Sequence, residues 1–117
     1  MPAKISDLGR FSEPALLILS SLAGGSKHGY AIMMDVQEFS GTKLEPGTLY
    51  GALTRLEQRG WIEPLPAEER RRPYLLTATG ATFLRQQLES IGDVIRAGEQ
   101  RLATYIRLRE EVLSAFM

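Results

Sequence analysis

Residues 46–62, Pro46-Gly47-Thr48-Leu49-Tyr50-Gly51-Ala52-Leu53-Thr54-Arg55-Leu56-Glu57-Gln58-Arg59-Gly60-Trp61-Ile62, read as a short helix that opens on proline, closes on glycine and runs straight into a strand. At 100° per residue, Leu53, Leu56 and Ala52 fall within about 60° of Leu49 and make a core stripe. The opposite arc collects Gly47, Gly51, Thr54 and Gln58, with Arg55 on one shoulder and Tyr50 on the other. An ordinary surface helix fills such an arc with Lys and Glu. Each glycine there costs about 1 kcal/mol of helix propensity, so the arc reads as a face approached closely by something else. A nucleic-acid groove fits, with the Thr54 hydroxyl and the Gln58 amide as base-edge readers.

Composition sets the limits. A chain of 117 residues, 44% of them hydrophobic, makes one small domain with an appended element, and chains of this size often dimerise to bury more surface. The absence of cysteine excludes disulfides and thiolate metal sites, and a single histidine, His28, argues against structural zinc and a histidine-based triad. No carboxylate pair or nucleophile–base pair suggests catalysis, so the chain does not read as an enzyme, and it calls for no cofactor or metal. No apolar run reaches the length of a membrane span and the amino terminus lacks a signal-peptide pattern, so a soluble cytoplasmic protein without membrane contact is expected. Fourteen Lys and Arg balance fourteen Asp and Glu. The basic residues are clustered, however: Arg70, Arg71 and Arg72 stand together, and Lys43, Arg55 and Arg59 flank the helix of residues 46–58. Phosphate contacts depend on such local placement rather than on net charge.

Working outward, residues 1–11 read as a loose arm, and Ser12-Glu13-Pro14 as a helix start with Ser12 as N-cap. Leu16, Leu17, Leu19 and Leu22 make an apolar helix that stops at Gly24-Gly25. A second helix begins after Ser26, turns Ile32, Met33, Val36 and Phe39 inward, and ends at Gly41. The loop from Gly41 to Glu45 leads into the third helix. Beyond Gly60 the period changes: Trp61 to Leu65 and Arg72 to Thr77 read as two strands joined by a turn, and Pro64 and Pro73 mark them as an edge ribbon. Three helices followed by a two-stranded wing give a mainly α, α+β fold, the winged helix-turn-helix, in which the third helix enters a major groove. Domain 1–77 is assigned to DNA binding. Residues 78–117 form a long C-terminal helix on which Leu84, Leu88, Ile91, Ile95, Leu102, Tyr105, Val112 and Phe116 fall at alternating spacings of three and four. Gly98 and Arg109 occupy the skipped positions of that seam. Such a stripe either packs back on its own domain or pairs with a second copy; its length favours the second. Gly92 and Gly98 leave open a bend or a break.

These residues resemble the PadR family of bacterial transcriptional regulators in its short form with a single C-terminal helix. The resemblance lies in His28-Gly29-Tyr30 with Ile32, in Pro46-Gly47-Thr48-Leu49-Tyr50 with Leu53 and Arg55-Leu56, in Gly60-Trp61-Ile62, and in Tyr74, Leu76-Thr77 and Gly80. It implies a homodimer that sets two third helices in successive major grooves of a palindromic operator on double-stranded DNA, usually as a repressor. It further implies dimerisation through the C-terminal helix and, in several relatives, release by a small aromatic or lipophilic effector. Carried over by position, Thr48 and Tyr50 contact phosphate or sugar, Thr54 and Arg55 contact base or backbone, and Arg70, Arg71 and Arg72 form the basic wing. The ribbon departs from the family pattern at Pro73 and Leu75, and Ile91 stands where multidrug-sensing relatives place a tryptophan, so a flat drug sandwiched by tryptophans is not expected.

Each singled-out residue also has a plainer role. Tyr50 would pack its ring on the second helix, and His28 would serve a helix start through local hydrogen bonds. Trp61 would anchor the wing, and Glu68 and Glu69 would solvate the wing tip. A functional alternative is a winged-helix protein-interaction module that binds no DNA.

Overall fold

The computed structural model of the chain describes residues 13–117. Its elements run α1 (Pro14–Ala23), β1 (Lys27–His28), α2 (Gly29–Ser40), α3 (Pro46–Gln58), β2 (Ile62–Pro64), β3 (Pro73–Leu76) and α4 (Ala78–Ala115). The arrangement is the expected winged helix-turn-helix followed by a long helix. Residues 1–11 and the proposed Ser12 cap lie outside the described residues; Glu13 takes the N-cap position of α1 without a side-chain cap bond.

The core forms where the apolar stripes meet. Leu17, Ile18, Leu19 and Leu22 of α1, Ile32 and Val36 of α2, and Leu49, Ala52, Leu53 and Leu56 of α3 are all buried in one cluster with Ile62 and Leu84. Leu44, read as loop, is buried in the same cluster. α1 packs on α2, α3 and β3, which explains why it is apolar on most sides. Phe39 corrects the sequence reading: it sits on the last turn of α2 and is 50% exposed, while Met33 only borders the core.

The wing also differs from expectation. Lys27 and His28, read as the first residues of the second helix, form a short strand, and α2 starts only at Gly29 with His28 as its N-cap. The sheet therefore has three antiparallel strands in the order β1-β3-β2. β3, expected at an edge, is central: Tyr74 faces Lys27 on one side and Pro64 on the other. Pro73 is tolerated because it opens the strand, where its carbonyl accepts from the Leu65 N–H at 2.8 Å and no N–H is required.

Two glycine-dependent joints fix α3 and α4 to this sheet. At the end of α3, Gly60 takes φ 74°, and the Trp61 N–H donates to the Leu56 carbonyl while the Gly60 N–H donates to that of Glu57. These are the paired bonds of a Schellman closure, which turns the chain directly into β2. At the start of α4, the Thr77 hydroxyl accepts from the Gly80 N–H at 3.0 Å and donates to the Gly60 carbonyl at 2.6 Å, an N-cap tied back to the first joint. Gly80 is buried, and a Cβ there would fall on the Trp61 carbonyl oxygen. Trp61 stacks on Phe83 at 3.8 Å between centroids, with the Arg59 guanidinium 5.1 Å from its ring, so it anchors the wing as expected.

The chain divides after Arg85, and Gln86–Met117 form a second unit. α4 is helical throughout Gly92 and Gly98. Leu84 belongs to the core of the first unit, and in the second Ile91 is half-buried while Leu88, Ile95, Leu102, Tyr105, Val112 and Phe116 are exposed. No helix among the described residues is long and apolar enough to cross a membrane.

The candidate nucleic-acid interface

α3 turns its stripe inward as its periodicity dictates, which leaves Gly47, Thr48, Tyr50, Thr54, Arg55 and Gln58 exposed and Gly51 half-buried. Lys43 is exposed on the loop before it. The glycines of the fold separate into two groups. A Cβ on Gly29 would lie 2.8 Å from the Tyr50 hydroxyl, and one on Gly80 would meet backbone; both are glycine for reasons internal to the chain. Among the described residues, a Cβ on Gly47 would meet nothing within 4 Å, and one on Gly51 only the Arg55 guanidinium at an ordinary 3.5 Å. Nothing among the described residues requires glycine at either position.

Tyr50 takes the plainer of its expected places. Its ring lies against Gly29 at the start of α2, and it remains 53% exposed. The Thr54 hydroxyl donates to the Tyr50 carbonyl at 2.9 Å, so its proton is engaged within the helix and its oxygen lone pairs and methyl group face outward. The adjoining Tyr74 phenol is raised above its ordinary pKa by burial first and then by the charge of Glu57; Arg72 acts in the opposite sense. α3 packs against β2, which puts the root of the wing beside it.

At the wing tip, Glu68 and Arg71 exchange backbone hydrogen bonds of 2.7 and 2.8 Å across a two-residue turn. Glu69 and Arg70 both take positive φ, 47° and 71°, the signature of a type I′ turn in which Asn-Gly is favoured. The turn holds Arg70, Arg71 and Arg72 exposed at a backbone cost of about 1 kcal/mol for each strained residue. Replacing Glu69-Arg70 by Asn-Gly leaves the net charge unchanged and should raise the unfolding free energy by about 1 kcal/mol. A melting temperature equal to or below that of the parent protein would show that the turn is not strained.

One contact was not legible in the sequence. His28 accepts from the Ala31 N–H at its Nδ1, the local capping role expected, but its Nε2 also lies 3.4 Å from Arg71 Nη1. No motif joins residues 28 and 71; only the β1–β3 pairing brings them together.

The residue pattern and the geometry agree with comparisons to known proteins. The family described as "Transcriptional regulator PadR-like family" matches residues 18–86. A PadR family transcription regulator of Clostridium difficile is 30% identical, with 78% of this chain and 99% of that one aligned at a TM-score of 0.69. A transcriptional regulator of Clostridium thermocellum is also 30% identical, over 81% of this chain and 94% of that one, at a TM-score of 0.68. A 37.1 kDa protein in transposon TN4556 of Streptomyces fradiae is 42% identical over 82 residues, 70% of this chain but 24% of that protein. By its matched residues and its fold, the chain belongs to the PadR-like family of transcriptional regulators, which are DNA-binding proteins and not enzymes.

Proposed function

We propose that the protein is a homodimeric repressor that binds a palindromic operator. In this reading α3 enters the major groove with Gly47 and Gly51 against the duplex, Thr54 and Gln58 reading base edges, and Arg55 placed for base or backbone. Lys43, Thr48 and Tyr50 contact the sugar-phosphate backbone. Arg70, Arg71 and Arg72 hold the adjacent backbone from the wing. The observation that carries it is the pair of glycines on the outer face of α3, which no atom of the described residues explains. An anisotropy titration with a duplex of the gene's own upstream region tests it. Saturable binding that weakens steeply with salt is expected. No binding at low salt would favour a winged-helix module that docks a protein partner instead.

The wing arginines supply charge rather than sequence information. Arg71→Ala and Arg72→Ala should each weaken binding about equally on all sequences and lower the salt slope by roughly one unit per lost phosphate contact. A sequence-dependent loss would place these side chains on base edges.

Residues 78–117 are assigned to dimerisation and 1–77 to DNA binding. The support is the exposed seam of α4 beyond Leu84, where Leu88, Ile95, Leu102, Tyr105, Val112 and Phe116 are all exposed to solvent. An apolar stripe of this length is unusual on a monomer. Leu102→Glu combined with Val112→Glu should give a folded monomer in sedimentation at concentrations where the parent chain is a dimer. A tight dimer that survives both charges would refute the seam. In this reading a small aromatic or lipophilic effector binds between protomers and releases the operator, without a tryptophan platform, since Ile91 holds that place.

A further inference from the structure

The seam of α4 is interrupted twice, and the two interruptions are opposite in kind. Between Ile91 and Phe116 every seam position is apolar or aromatic except Gly98 and Arg109. Both are exposed, on a helix that runs unbroken through them. Among the described residues a Cβ on Gly98 would meet nothing within 4 Å. The glycine weakens the helix, and no neighbour requires it. Arg109 makes no ion pair among the described residues. Its guanidinium is always charged, and it loses water if the stripe around it is covered. One position is too small for the seam, and the other is long and charged.

The spacing shows how a second copy would meet them. From Ile91 to Phe116 the steps between seam positions are four, three, four, three, four, three and four. The order is the same read from Phe116 back to Ile91. Two copies laid antiparallel with these ends together therefore match position for position. Phe116 then faces Ile91, Val112 faces Ile95, Tyr105 faces Leu102, and Arg109 faces Gly98. The long side chain lies over the one place in the seam that has none. Glu99, beside that place and without an ion pair among the described residues, offers a carboxylate. A parallel pair in register would set the two copies of Arg109 against each other and leave a gap between two glycines. Slipping the antiparallel pair by one heptad sets Arg109 against Ile91 or Tyr105 and Gly98 against Leu102 or Phe116, so that neither interruption relieves the other.

We propose that Gly98 and Arg109 form a reciprocal lock between two copies of this chain, which fixes the α4 seams as an antiparallel pair in one register. A lone polar side chain in a helical seam selects orientation and register at some cost in stability. Two-fold symmetry makes the contact occur twice, so its effect is doubled. The inference rests on the dimer reading above and adds to it the orientation, the register and the two residues that set them.

Sedimentation of the full chain and two variants tests the lock. Gly98→Arg sets arginine against arginine at both contacts and should weaken the dimer by roughly 100-fold or more, although arginine is the better helix former. Gly98→Arg combined with Arg109→Gly exchanges the two residues, restores the match and should recover most of the parental association. Circular dichroism confirms the helix in each. A Gly98→Arg protein that associates as the parent does, or an exchanged protein as weak as Gly98→Arg, overturns the lock. The absence of cysteine supplies a second arm. Ile95→Cys and Val112→Cys are prepared as separate proteins and oxidised alone and mixed. The antiparallel register should cross-link only the mixture. A covalent dimer of either protein alone, or none in the mixture, overturns the register. A parent chain that sediments as a monomer defeats the dimer reading and the lock with it, whereas a dimeric parent that fails the exchange defeats the lock alone.

Discussion

Gly80→Ala should lower the melting temperature by roughly 10 °C or more, although alanine is the better helix former. The added methyl would lie on the Trp61 carbonyl oxygen and 2.8 Å from its carbon, and both belong to backbone. That carbonyl accepts from the Thr77 N–H at 3.0 Å, so it is fixed between β2 and the start of α4. Neither side can yield without breaking the Thr77 cap or shifting the Trp61–Phe83 stack. Overpacking of this kind costs about 3 kcal/mol, outweighing the roughly 1 kcal/mol that alanine gains over glycine in a helix. For a domain of this size each kcal/mol corresponds to about 4–8 °C. Gly47→Ala and Gly51→Ala provide the contrast. They meet open space or an ordinary contact, and each should raise the melting temperature. Calorimetry on the three variants checks the set, and a Gly80→Ala protein as stable as its parent would mean that α4 does not start against Trp61.

The core was legible because it depends on period. Leu49, Ala52, Leu53 and Leu56 are buried as a 3.6-residue stripe requires, and Gly60 closes α3 as a glycine past a helix end should. What was missed depends on neighbours distant in sequence. β1 has only two residues, too few for any alternation, and exists because β3 offers them an edge. Phe39 has the right phase to be buried but sits one turn beyond the packed layers. Leu44 has no periodic context, yet the loop carries it into the core.

The candidate site divides in the same way. The outer arc of α3 could be read from the sequence because its composition departs from that of a solvated helix. Gly29 and Gly80 could be named only through resemblance, since their causes, Tyr50 and Trp61, lie about twenty residues away in each case. The His28–Arg71 contact had no sequence signal, because it depends on the register of a strand that was itself unread. The seam of α4 was visible as a heptad pattern, but the burial of Leu84 in the first unit follows from tertiary packing rather than spacing.

The central claim is that the outer face of α3 lies in a DNA groove, and Gly51→Leu addresses it most directly. Leucine favours the helix over glycine by roughly 1 kcal/mol, and among the described residues the only atom near its Cβ belongs to the flexible Arg55 side chain. The variant should fold at least as well as the parent protein. If the backbone at Gly51 approaches the duplex, the leucine side chain would hold α3 away from the base edges. Affinity for the upstream duplex should then fall by roughly 100-fold or more, close to 3 kcal/mol. Gly47→Leu, with no neighbour within 4 Å among the described residues, repeats the experiment without displacing Arg55. The decisive measurement is fluorescence anisotropy on these two variants, with circular dichroism to confirm the fold. Loss of binding in folded protein is the expected result, and full parental affinity in both variants would contradict the placement of α3 in the groove.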